Sequence, residues 1–235
     1  MIPISDDNPT RLVPVVTWAI IAVCVLAYIW ERSFGRELEA LLNVLGFVPA
    51  ALFAQPGEIP GYVAVPAKLT ILTSMFLHGG ILHLGGNMLY LWIFGNNVED
   101  GMGHARYLLF YLTCGIAAAL TFAFIDPTSR LPMIGASGAI SGVLAAYVLF
   151  YPRARVTVVV PLGIIFYPFA ITAIWVVGLW FVMQLLSAAL TNPNHPGVAF
   201  WAHVGGFAAG LVLTPLFKSR DTRLFGEVRR GPWER

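Results

Sequence analysis

Long apolar runs separated by short polar turns dominate the chain. The first runs from Pro14 to Trp30, the second from about Ile71 to Phe94, and the third from Tyr107 to Ile125. The fourth spans Ser137 to Tyr151, the fifth Ile164 to Leu190, and the sixth Val198 to Phe217. A helix needs roughly 20 apolar residues to cross about 30 Å of hydrocarbon. The pattern therefore predicts an all-α polytopic bundle of six transmembrane helices. Between the first two runs, Glu37 to Leu45 sets apolar residues at helical spacing beside charges, and Pro49, Pro56, Pro60 and Pro66 then break the chain. This connection reads as short amphipathic helices in the membrane interface. Val156–Val160 is β-branched, but Pro161 behind it makes a loop the expectation.

Composition agrees with this reading. Of 235 residues, 58% are hydrophobic and 11% charged, and the mean hydropathy is +0.76. A soluble domain carries about 25% charged residues. A formal charge of +2, with no basic stripe interleaved with aromatics, speaks against nucleic acid. Cys24 and Cys114 sit in apolar runs and read as packing residues. The organisation expected is a polar segment over residues 1–13, a membrane domain over 14–217 and a basic, loosely ordered tail over 218–235. The first run lacks the short core and cleavage site of a secretory signal and reads as a retained span.

Six spans put both termini on one side. That side collects Arg11, Arg106, Arg153, Arg155 and the tail cations, and the other only Arg32, Arg36, Lys68 and Arg130. Because Lys and Arg favour the cytoplasmic side, both termini are expected in the cytoplasm, with the spans in the cell membrane.

This orientation makes polar residues converge. His83 and Asn87, at i and i+4 on one helix face, lie in the outer half of the second span. Ser137 opens the fourth, and His203 lies about one and a half turns into the sixth. Gly138-xxx-Gly142 and Gly206-xxx-Gly210 let the fourth and sixth helices approach closely. Ser137 then comes within reach of His203. A hydroxyl becomes a nucleophile when a neutral imidazole takes its proton. No carboxylate stands near to orient His203, so a two-residue arrangement is expected. The N–H groups around Ser137, with Asn87 and His83, are candidates to hold an oxyanion. Ser137 is not in a soluble-hydrolase elbow, since Ala139 replaces the second glycine. Ser141, deeper in the span, reads as packing. His78 reads as structural, Glu99 as a capping or pairing residue at the cytoplasmic turn, and His104 and Arg106 as residues of the cytoplasmic interface. His195 reads as solvated.

Three segments in order resemble the rhomboid intramembrane serine proteases. They are His83-Leu84-Gly85-Gly86-Asn87, Gly135-Ala136-Ser137-Gly138, and Ala202-His203-Val204-Gly205-Gly206 with Gly210. The stretch from Phe94 to Arg106 and the opening Asp6-Asp7-Asn8-Pro9-Thr10 add to the likeness. Some bacterial members carry a Trp-Arg pair in the first loop, and the nearest match here is Trp30-Glu31-Arg32 at the end of the span. The resemblance implies a Ser137 nucleophile, a His203 base, and His83 and Asn87 at the oxyanion hole. It implies no cofactor or metal, membrane-anchored protein substrates cut in or near their spans, and a fifth span acting as a lateral gate. Two other classes fit the sequence less well. A metal-dependent hydrolase using His78, His83 and His203 lacks an HExxH motif and acidic residues in the outer halves of the spans. A non-proteolytic membrane chaperone or binding protein of rhomboid type would be expected to have lost Ser137 or His203.

Overall fold

A computed structural model describes residues 2–54, 65–162, 165–190 and 199–226. His195, the outer turn around it and the last nine residues of the tail lie outside them. The helices are α1 (Val15–Arg32), α2 (Leu38–Leu45), α3 (Pro49–Phe53), α4 (Ala67–Thr73) and α5 (Ile81–Tyr90). They continue with α6 (Asn96–Met102), α7 (His104–Ile125), α8 (Ser137–Phe150), α9 (Ala173–Leu190) and α10 (Phe200–Phe217). The molecule is a helical membrane bundle. Among the described residues, four helices are long and apolar enough to cross a membrane: α1, α7, α9 and α10.

The second apolar run is not one straight rod. Ala67–Phe76 and Ile81–Met102 meet at 81°, and counting them as one span makes five. The break falls at His78-Gly79-Gly80, where two glycines weaken the helix. Past Tyr90 the helix widens into a π turn at Leu91–Gly95 before α6.

The α8 helix is 14 residues long, which is about 21 Å at the helical rise. It is the centre of the bundle. Only Ser137, Val148 and Leu149 escape full burial. A helix that is apolar on every side belongs in a core, and its neighbours α7 and α10 surround it. Main-chain contact between α8 and α10 is direct. A Cβ added at Gly210 would lie 2.5 Å from the Gly142 carbonyl oxygen, and one at Gly206 would collide with the Gly138 carbonyl.

Several expectations are corrected. Residues 155–162 form a strand, not a loop. β1 (Ile2–Asp6), β2 (Arg155–Leu162) and β3 (Ile165–Thr172) make an antiparallel sheet in that order. β1 covers β2 only from Val156 to Val159, so Pro161 falls where β2 has one neighbour. A missing N–H is tolerated there. Pro168 sits in β3, an edge strand. The fifth helix starts at Ala173 because the residues before it are spent on β3. The start of the tail is not loose. Ser219 N donates to Gly101 O, Phe225 N to Leu149 O, and Lys218 Nζ to Thr222 O.

The N-terminal sheet, α6 and the tail gather at the end of the bundle remote from Ser137. Asp6 accepts from Asn97 Nδ2 at 2.9 Å and from the Tyr147 hydroxyl at 2.5 Å. Glu99 is wholly buried and caps α1, accepting from Val16 N, Thr17 N and Thr17 Oγ1 at 2.7–2.9 Å. His104 Nδ1 lies 2.6 Å from the same carboxylate. Arg106 donates to the Lys218 carbonyl.

Candidate functional site

Ser137 is the first residue of α8. The chain reaches it through Gly135, whose φ of +119° is a conformation that side chains rarely adopt. Gly135 N donates to Ser74 O, which fixes the approach. A Cβ at Gly135 would lie 2.7 Å from His83 Nε2 and 3.6 Å from Asn87 Nδ2. The glycine thus does two things: it turns the chain into α8 and leaves room for the two side chains from α5.

From α10, His203 reaches across the close α8 contact. Its Nε2 lies 2.7 Å from Ser137 Oγ. Its Nδ1 lies 2.8 Å from Oε1 of Gln184 on α9. Trp180, one turn before Gln184, holds its ring 6.1 Å from the imidazole, and Phe200 meets it edge-on. The histidine is buried to 8% exposure, so its nitrogens face these partners rather than bulk water.

Ser137, His203, His83 and Asn87 all line one cavity of about 860 Å³. Its walls include Gly86, Gly115 and Ala118, small residues that open space beside the serine. The Nδ2 donor of Asn87 is buried and has no hydrogen-bond partner among the described residues. Buried donors are nearly always paired. An unpaired one that lines a cavity next to a serine hydroxyl is suited to an oxygen that arrives from elsewhere. Ser137 opens α8, so the unpaired N–H groups of the first turn, at the positive end of the helix, begin at the serine itself.

The sequence-predicted residues therefore meet. Ser141 does not take part. It is wholly buried, and its hydroxyl donates back to the Ser137 carbonyl at 2.7 Å. His78 is buried behind the site and meets His83 edge-on at 5.2 Å. One expectation fails here. An acidic residue does lie at the end of a span beside the site: Glu31, wholly buried in α1, accepts from His78 N at 3.2 Å. Two residues went unread in the sequence. Gln184 touches the histidine, and Trp180 lies against it. The available signal was a lone amide in an otherwise apolar span, with a tryptophan four residues before it on the same face.

The rhomboid domain family model matches residues 67–220, which include all four cavity residues and Gln184. The rhomboid protease GluP of Bacillus subtilis is 36% identical over 134 residues, 57% of this chain and 24% of that protein. Rhomboid protein 1, mitochondrial, of Saccharomyces cerevisiae is 35% identical over 96 residues, 39% of this chain and 28% of that protein. Inactive rhomboid protein 1 of Drosophila melanogaster is 30% identical over 118 residues, half of this chain and 8% of that protein. The matches to the first two cover only about a quarter of each relative's length. With the family model spanning most of the bundle, the chain belongs to the rhomboid family of multi-pass membrane proteins.

Proposed function

We propose that this chain is an intramembrane serine endopeptidase that hydrolyses peptide bonds in or near the spans of membrane-anchored proteins. The observation that carries the reading is the 2.7 Å contact between Ser137 Oγ and His203 Nε2 inside an 860 Å³ cavity. His203 Nε2 takes the hydroxyl proton as Ser137 Oγ attacks the scissile carbonyl carbon. The oxyanion that forms is held by Asn87 Nδ2, by His83 and by the N–H groups that open α8. As the C–N bond breaks, the imidazolium returns its proton to the leaving amine. Water, deprotonated at the same nitrogen, then attacks the acyl carbon, and the imidazolium gives that proton to Ser137 Oγ as the ester bond breaks.

The bundle would sit in the cell membrane with both termini cytoplasmic, as the distribution of Lys and Arg supports. Residues 1–13 and 218–235 would then flank a membrane domain over 14–217, with the sheet and the tail on the cytoplasmic side and the cavity toward the outer face.

The alternative, a non-proteolytic rhomboid that binds membrane proteins, is separated by one experiment. Purified protein in bilayers is given a panel of tagged single-span reporters, with Ser137→Ala and His203→Ala in parallel. Cleavage lost in both variants and indifferent to a chelator is the expected result. Cleavage that survives Ser137→Ala would overturn the assignment. If no reporter is cut, a fluorophosphonate that labels wild type but not Ser137→Ala supports a competent nucleophile. Absence of labelling would favour the binding protein.

A further inference from the structure

We infer that Gln184 is a positioning residue for the base: it holds His203 in the tautomer that can accept the serine proton, and it ties that tautomer to the docking of α9 on α10. This rests on the reading of Ser137 and His203 as nucleophile and base. A neutral imidazole has one N–H and one lone pair, and which nitrogen carries which is set by its partners. The Gln184 atom facing Nδ1 is the carbonyl oxygen Oε1, at 2.8 Å. An amide oxygen only accepts, so Nδ1 must carry the hydrogen. The lone pair is then on Nε2, facing the Ser137 hydroxyl at 2.7 Å. With the other tautomer, Nε2 would present a hydrogen to Ser137 and could not remove its proton.

The sequence offers no carboxylate for this task, and the structure supplies a neutral amide from a third helix. Gln184 is held there by the seam between α9 and α10. Phe181 stacks on Phe207 at 4.1 Å and 18°, and Trp180 contacts both Phe207 and His203. Trp180 and Gln184 are one turn apart on α9, and His203 and Phe207 are one turn apart on α10, so the two pairs interlock. Elsewhere α9 is largely exposed, with Ala173, Val177 and Ala188 its buried residues. The orientation of the base therefore depends on a helix held at few points. When α9 is docked, the imidazole is poised; when it leaves, Nδ1 loses its acceptor.

The test uses full-length protein in bilayers and compares wild type, Gln184→Leu, which keeps the bulk and loses the acceptor, and Gln184→Glu, which keeps an acceptor oxygen. Two rates are read: labelling of Ser137 by a fluorophosphonate, which needs no substrate docking, and cleavage of a single-span reporter. Gln184→Leu is expected to lower both the labelling rate and kcat about ten- to a hundredfold, below the full worth of a general base, with KM within about twofold. Gln184→Glu is expected to recover most of the loss. Nitrogen-15 spectra of the imidazole should show protonated Nδ1 in wild type and a mixed population in Gln184→Leu. A Gln184→Leu protein that labels at the wild-type rate overturns the inference and leaves the dyad standing. So does a Gln184→Glu protein as slow as Gln184→Leu at an unchanged melting temperature. A wild-type protein that never labels overturns the dyad itself, and this inference with it.

Discussion

The Cα of Gly206 on α10 packs against the carbonyl of Gly138 on α8, one residue from the serine and three from the histidine. The dyad distance is thus set by main-chain contact between two helices rather than by long side chains.

Adding a methyl group at that point should separate the pair. Gly206→Ala forces α10 away from α8, at a cost of at least about 1–3 kcal/mol for overpacking. It should abolish cleavage with the Ser137 and His203 side chains intact. Gly178→Ala is the control, because nothing lies within 4 Å of its would-be Cβ. It should be neutral or slightly stabilising, since alanine favours helix over glycine by about 1 kcal/mol. Thermal unfolding and reporter cleavage of both variants decide the point. Wild-type activity in Gly206→Ala would count against the argument.

Asn87 offers the opposite kind of test. Its buried Nδ2 has no partner among the described residues, so removing that donor forfeits no hydrogen bond with them. Asn87→Ala should leave the melting temperature almost unchanged and lower kcat about 10²–10³-fold, the usual loss for one oxyanion donor. A stability loss larger than the activity loss would mean that the amide serves the fold.

Glu99 should behave in reverse. It accepts from Val16 N, Thr17 N and Thr17 Oγ1, and its carboxylate lies beside His104 Nδ1, all at the end of the bundle remote from Ser137. Glu99→Ala strands several buried donors and should cost about 3–5 kcal/mol, as breaking a buried charged network does. At temperatures where the variant stays folded, its kcat should match wild type. Differential scanning and low-temperature kinetics separate these two effects.

Asp6 gives a pH dependence. Burial is the main cause that raises its carboxyl from 3.8 to about 6, against the lowering effect of the Tyr147 hydroxyl. In the unfolded chain it titrates near 3.9. Between those values the folded protein holds a proton that the unfolded chain has lost. The contribution of Asp6 to stability is therefore fully present below about pH 4 and is lost as pH rises through 6. Asp6→Asn should flatten that part of the profile, making the difference in melting temperature between variant and wild type grow from pH 5 to 7. A constant difference would refute the assignment.

Most of the site could be read from sequence because its parts obey local rules. The i, i+4 spacing of His83 and Asn87, the small-xxx-small pairs and the equal depths of Ser137 and His203 each follow from helix geometry. What could not be read depended on partners far along the chain. Val156–Val160 has strand character, but it becomes a sheet through its pairing with Ile165–Thr172 and, some 150 residues earlier in the chain, with Ile2–Asp6. Pro161 looked like a breaker because its position beyond the β1 pairing was invisible. Glu31 looked like a loop residue at the end of an apolar run, until the bend at Gly79-Gly80 brought His78 N against it. Gln184 was hidden for the same reason: a single amide in an apolar helix shows its purpose only when the neighbouring helix is in place.

The enclosure of α8 has a last consequence. Lipid hardly touches this helix, so its position along the membrane normal is referenced to the surrounding protein and not to the hydrocarbon boundary. The outer helices answer to membrane thickness by tilting or by deforming the bilayer around them. Ser137 moves with the frame and keeps its distance from the cavity walls. The Ser137 hydroxyl is therefore a fixed mark on a ruler carried inside the protein. On the proposed function, a thicker or thinner bilayer would make the incoming chain slide along that ruler, and membrane thickness itself would select which peptide bond is presented.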